Sequence, residues 1–145
     1  MAFRFPLATV LRVRESIEKR EELALQKIQL EMARIARQIE LLNAQLAKAH
    51  GAREQALQQT IPASHLHAML REAQAAADSK NSLLVTLQLL EQQRDKQMKV
   101  YQAAHRDHET IIDLFRKQRD AYEQDQARAQ QKYLDDIFMA RRHRS

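Results

Sequence analysis

Two histidine pairs and two groups of carboxylates are the first places in this chain to look for chemistry. His65 and His67 stand two residues apart, whereas His105 and His108 are spaced i, i+3, with Asp107 and Glu109 close by. On a helix the first pair diverges and the second shares a face. The chemistry at stake is zinc-type ligation, which needs three convergent ligands in a pocket that controls water. No cysteine is present to complete a set. The expectation is therefore no metal centre, with His108 on a packed seam and His105 beside it as polar interruptions. The adjacent Asp135 and Asp136 suggest paired carboxylates for acid–base work. Neighbouring helical residues point ~100° apart, however, and two exposed carboxylates have no reason to acquire divergent pKa values. With one glycine in the chain there is no phosphate-cradling loop, and no Ser/His/Asp order that two helices could assemble. We expect no catalytic residue, no cofactor and no small-molecule substrate.

The elements that must position these residues are helical. One Gly, two Pro, no Trp and 5% aromatics beside 30% charged residues describe a long helix or coiled coil, not a folded-back globule. From Leu25, the series Leu25, Met32, Ile39, Leu46 interleaves with Ile28, Ile35, Leu42, Ala49 in alternating steps of three and four, a heptad seam that wants a partner helix. Leu7, Val10, Ile17 and Ala24 form an earlier seam, joined to the later one through the four-residue steps Ala24–Ile28–Met32, a stutter that relaxes the supercoil.

The break falls at QQTIPASHLH, because Pro62 cannot donate a helical hydrogen bond and disfavours helical geometry at Ile61. Gly51 is an earlier candidate stop, but Ala52 and Ala56 extend the helical composition beyond it. The second helix then carries a broad stripe from Leu66 and Met69 to Ile111, Ile112 and Phe115, interrupted at the polar positions Lys80, Arg94, Gln97 and Gln118. Folding the chain about residue 61 sets Leu7 opposite Phe115, so the stripe thins where its partner runs out. These observations predict one all-α domain over 1–145, a two-helix antiparallel coiled-coil hairpin with a longer, partly unpaired C-terminal helix. Helix one covers about 6–59, the turn about 60–62 and helix two about 63–141.

The net charge of +5 is concentrated toward the ends: residues 1–60 carry ten basic and seven acidic groups, 61–115 six and seven, 116–145 eight and five. A nucleic-acid-binding arm is a denser basic block with fewer interspersed acids, which argues against nucleic acid as partner. No apolar run approaches the ~20 residues that cross a bilayer, so we expect a soluble, cytoplasmic chain without direct membrane insertion. The remaining candidate is an interaction surface. Tyr122, Leu134, Ile137, Phe138 and Met139 are expected on a helix with no intramolecular partner, and exposed large apolar side chains of this kind mark interaction sites. Phe3, Phe5, Leu7, Val10 and Leu11 fall at the same end and could cap the coil against residues 112–119.

The start FRFPLATVLRVRE resembles the N-terminal signature of the flagellar FliJ family, with spaced phenylalanines, a leucine, a Val-Leu pair and an Arg-Glu. The end RAQQKYLDDIFMARRHR resembles that family's C-terminal pattern of an arginine, a Gln-Lys step, an acidic pair and trailing arginines. The matching positions are Phe3, Phe5, Leu7, Val10, Leu11, Arg14, Glu15, Arg128, Gln131, Lys132, Asp135, Asp136 and Arg141. Asp-Asp stands where the family pattern has Asp-Glu. The resemblance implies a component of the flagellar type III export apparatus, similar to the central stalk of rotary ATPases. Implied partners are the hexameric export ATPase near its ring centre, the membrane-embedded export gate and the export chaperones. The implied location is peripheral, on the cytoplasmic face of the inner membrane. Phe3, Phe5, Leu7, Val10, Leu11, Tyr122, Arg128, Tyr133, Asp135, Asp136, Ile137, Phe138, Arg141 and Arg142 would form the ATPase-binding tip. The rival readings are a self-associating coiled-coil scaffold and a basic nucleic-acid-associated helical protein.

Overall fold

In the computed structural model, which describes residues 2–144, the chain is all-helical. Two elements account for it: α1 (Ala8–Leu57, 50 residues) and α2 (Ala63–Arg144, 82 residues), with the topology of a helical hairpin and no strand among the described residues. Met1 and Ser145, the limits of the predicted hairpin, lie outside the described residues.

The helix ends follow from local chemistry. Ahead of α1, Pro6 sits inside a turn in which the Ala8 amide donates to the Phe5 carbonyl at 3.1 Å; its fixed φ suits that turn, and the Leu11 amide then donates to the Leu7 carbonyl at 2.8 Å. At the far end of α1, i→i−3 bonds tighten the last turn, from Gln58 to Gln55 at 3.2 Å and from Gln59 to Ala56 at 3.1 Å. Pro62 directly precedes α2: it lacks an N–H, where none is needed, and its carbonyl accepts from His65 at 3.1 Å and Leu66 at 3.3 Å. Gly51 lies within α1 and a Cβ there would meet nothing within 4 Å, so the helix runs through it without a packing reason for glycine.

The chain divides into two packed units. One is Glu22–Val100, with the turn at its closed end; the other joins the residues up to Glu21 with those from Tyr101 onward. In the Glu22–Val100 unit the seam is aliphatic. Leu25 is 7% exposed, Ile35 3%, Ile39 9% and Ala76 7%. Between Leu25 and Ala56 the buried and half-buried positions of α1 at Leu25, Ile28, Met32, Ile35, Ile39, Leu42, Leu46, Ala49, Arg53 and Ala56 step alternately by three and four. In α2 the same alternation runs from Leu66 to Gln97 and includes Lys80 and Arg94. Those two polar residues hold seam positions by lying along the groove on their alkyl stems, with their charged heads reaching water.

In the second unit Ala104 is buried at 8%, and the half-buried line of α2 continues through His108, Ile112, Phe115 and Tyr122. Gln118, expected on the seam, is exposed. Opposite Gln118 the chain is no longer helical, and near there the rings of Phe3 and Phe5 reach across to Phe115. From Glu123 to Asp136 every residue of α2 is exposed, and Ile137 is the next that is even half-covered.

Candidate functional site

The unit formed by the two ends of the chain is held by rings and charges where the other is held by aliphatic packing. Phe115 is its centre. The Phe5 ring meets it edge-on with centroids 5.3 Å apart, and the Phe3 ring lies against it at 5.7 Å; the Arg119 guanidinium sits 5.6 Å from the same ring. Edge-to-face and tilted contacts of this kind match the positive rim of one ring to the negative face of the next, and a guanidinium is drawn to that face. The Phe3 ring also reaches Tyr122, at 5.5 Å. Tyr122 therefore does not belong with the residues expected to lack an intramolecular partner. The reason is reach: residues 2–5 lie outside any helix, and non-helical chain can span up to ~3.3 Å per residue where a helix advances ~1.5 Å, which lets the Phe3 ring meet Tyr122.

Next along lies an ionic clasp that the sequence reading overlooked. Glu18 of α1 turns its carboxylate toward both His105 and His108 of α2. One oxygen lies 3.0 Å from the His105 Nδ1, and the other is hydrogen-bonded to the His108 Nδ1. Arg14 reinforces the pairing at 3.4 Å from Asp107. Reflection about residue 61 carries Glu18 to position 104, beside the histidines, so the arithmetic that paired Leu7 with Phe115 contained the signal. The His105 hydrogen bond, and then the His108 bond and the charges of both rings, hold the Glu18 carboxyl below its ordinary 4.5 against a burial that opposes it. The same Glu18 bond raises His105 above 6.5, with Glu109 adding a weaker pull. His105 and His108 are thus partners of a carboxylate. Among the described residues no group of three or more His, Cys, Asp or Glu is arranged to hold a metal ion. His65 and His67 are both exposed at the start of α2.

The remaining expected site residues fall into two groups. Leu7 and Leu11 are half-buried and Val10 is 37% exposed, all on the first turns of α1. Farther out on α2, Tyr133 is 66% exposed and Phe138 67%, while Ile137 is half-covered. Leu134, Asp135, Ile137, Phe138 and Arg141 line one shallow open groove. Asp135 accepts from the Gln131 amide at 3.0 Å, and Arg128 lies 3.9 Å from Asp125. Asp136 and Arg142 are exposed. The structure brings Phe3, Phe5 and Tyr122 together; it does not bring residues 128–142 against them.

Tyr133 stands 18 residues beyond Phe115, five full helical turns, and so occupies the same azimuth. That face of α2 is covered by rings at Phe115 and open at Tyr133. No helix among the described residues is long and apolar enough to cross a membrane.

A protein-family model described as Flagellar FliJ protein matches residues 3–145, nearly the whole chain. No curated protein and no solved structure matches it.

Proposed function

The chain belongs to the FliJ family, whose members are components of flagellar protein export, and from that premise we propose that it is a non-enzymatic stalk and adaptor of the export apparatus. On this reading the tip docks near the centre of the hexameric export ATPase ring. Phe3 and Phe5 shape the start of the tip, and Tyr133, Ile137 and Phe138 near the end of α2 supply the anchors. Arg128, Arg141 and Arg142 face acidic loops of the ring. The observation that carries the proposal is the group of large apolar side chains left bare on the last turns of α2. Aromatic and aliphatic side chains 53–67% exposed at Tyr133, Leu134, Phe138 and Met139 gain apolar burial only when a partner covers them. By binding one arrangement of the ring more tightly than another, such a tip shifts the ring toward that arrangement and so promotes assembly or hydrolysis. The rest of the chain would reach the export gate and the export chaperones, with the protein peripheral to the inner membrane on its cytoplasmic side.

Replacing Ile137 and Phe138 together with Ala should weaken binding to the export ATPase by about tenfold or more while leaving the helical signal nearly unchanged. Titration of the ATPase with wild-type and variant chains, followed by hydrolysis rate and sedimentation, measures this. Equal binding by the variant sinks the docking proposal. Concentration-dependent dimerisation of the wild type that the variant abolishes would instead assign the same face to a second copy, the scaffold reading.

A further inference from the structure

Within the Glu22–Val100 unit, α1 carries a second line of leucines facing away from its seam. Leu23 is 52% exposed, Leu30 71% and Leu41 70%. They are separated by seven and eleven residues, which at ~100° per residue returns each to within about 20° of the one before. The seam residues Leu25, Ile35 and Ile39 lie on the opposite side of the helix. Arg34, Arg37 and Lys48, all exposed, fall on the same line: Arg34 is eleven residues after Leu23, Arg37 seven after Leu30 and Lys48 seven after Leu41. Lys27 flanks it one turn after Leu23. The acids of the stretch are placed elsewhere. Glu22, Glu31 and Glu40 each adjoin one of the leucines in sequence and therefore lie about 100° round the helix. Charge is segregated by azimuth into a basic, leucine-studded outer face with no carboxylate on its centre line. Arg34 leans to the edge and pairs with Glu31.

The geometry points to this outer face of α1, from Leu23 to Lys48, as the docking surface for an acidic amphipathic helix of a partner protein. Leucines at heptad-like intervals over about 27 Å offer knobs to a facing helix, and basic residues between them suit glutamates flanking that helix's apolar seam. Charge excludes the simplest alternative occupant: a second copy laid on this face would set Arg34, Arg37 and Lys48 against their own kind. A lipid surface fits less well. Arg34, Arg37 and Lys48 share the leucines' own azimuth, so driving the leucines into acyl chains would drag cationic heads with them, and the face has no aromatic anchor. Phosphate backbones would leave the leucines without a role.

The chain has no cysteine, so Ala44→Cys, exposed on the edge of this face, accepts an environment-sensitive fluorophore at one place. The probe ligand is a synthetic helical peptide with leucines at heptad spacing flanked by glutamates; its control carries lysines in their place. Saturable binding of the acidic peptide only is expected. Arg34→Glu with Arg37→Glu, and separately Leu30→Ser with Leu41→Ser, should each weaken it about tenfold or more with unchanged circular dichroism, since all four side chains are exposed. No binding, equal binding of the lysine peptide, or binding indifferent to both double variants overturns the proposal. So does a fluorescence response to vesicles of phosphatidylglycerol in phosphatidylcholine with none to the peptide, or self-association lost in the leucine variant.

Discussion

The two units use the same helices and solve different problems. Between Glu22 and Val100 the buried residues are Leu25, Ile35, Ile39 and Ala76, spaced by the heptad and interchangeable in chemistry. In the other unit Ala104 alone is buried among the described residues, and the contacts that join the two segments are particular: Phe5 and Phe3 on Phe115, Glu18 between two histidines, Arg14 on Asp107. Aliphatic packing is non-directional and proportional to area, so it holds a long regular seam. Rings and ion pairs contribute less each, yet they fix which residue meets which. A narrow pairing with little area to bury can set its register by such contacts, where repeated leucines would also tolerate a slip by one heptad.

Three substitutions test that contrast, in order of expected effect. Ile35→Ala, at 3% exposure the most buried side chain of the seam, should cost about 2–4 kcal/mol and lower the thermal midpoint of the helical signal clearly. A loss below that of the ring substitution would remove the distinction between the units. Phe115→Ala withdraws the surface shared by Phe3 and Phe5 and should cost about 1–2 kcal/mol, felt locally. Hydrogen exchange should quicken in the first turns of α1 and leave the amides between Leu25 and Leu46 as protected as before. Uniform acceleration through both units would show that they melt as one.

Smallest is the clasp, whose sign depends on pH. Glu18 is depressed, so its contribution is present above 4.5 and lost as acid protonates it through its lowered value. His105 is raised, so its contribution is complete below 6.5 and disappears as pH rises through its elevated value. The clasp is therefore strongest between about 4.5 and 6.5, and hydrogen-exchange protection around Glu18 should decline from pH 6 to 9 in the wild type. Asp107, held by Arg14, and Glu109 are the other charged groups beside it. In Glu18→Gln the decline should be absent; an equal decline would mean that another group titrates.

The exposed line of Leu23, Leu30 and Leu41 was legible in the periodicity of the sequence, since spacing alone sets azimuth on a helix. Glu18 was legible only in combination, once the turn position was used to reflect the charged residues as well as the apolar ones. Tyr122 departs from expectation because Phe3 and Phe5, expected to cap the coil against residues 112–119, extend further, and the Phe3 ring meets Tyr122. Gln118 leaves the expected seam because a seam position requires a facing helix, and opposite Gln118 the chain is not helical.

Composition and spacing by themselves determined that the chain is all-helical, that it reverses near Pro62, and which stripe of each helix is apolar. These are local properties: a missing N–H, a repeat of three and four, a scarcity of glycine. Tertiary structure alone decided that the start of the chain lies over Phe115 and Tyr122, that one carboxylate serves two histidines, and that the face carrying Tyr133 is left open. Each of those depends on how far one segment reaches along another, and that distance is set by backbone conformation in three dimensions, for which residue order has no separate signal.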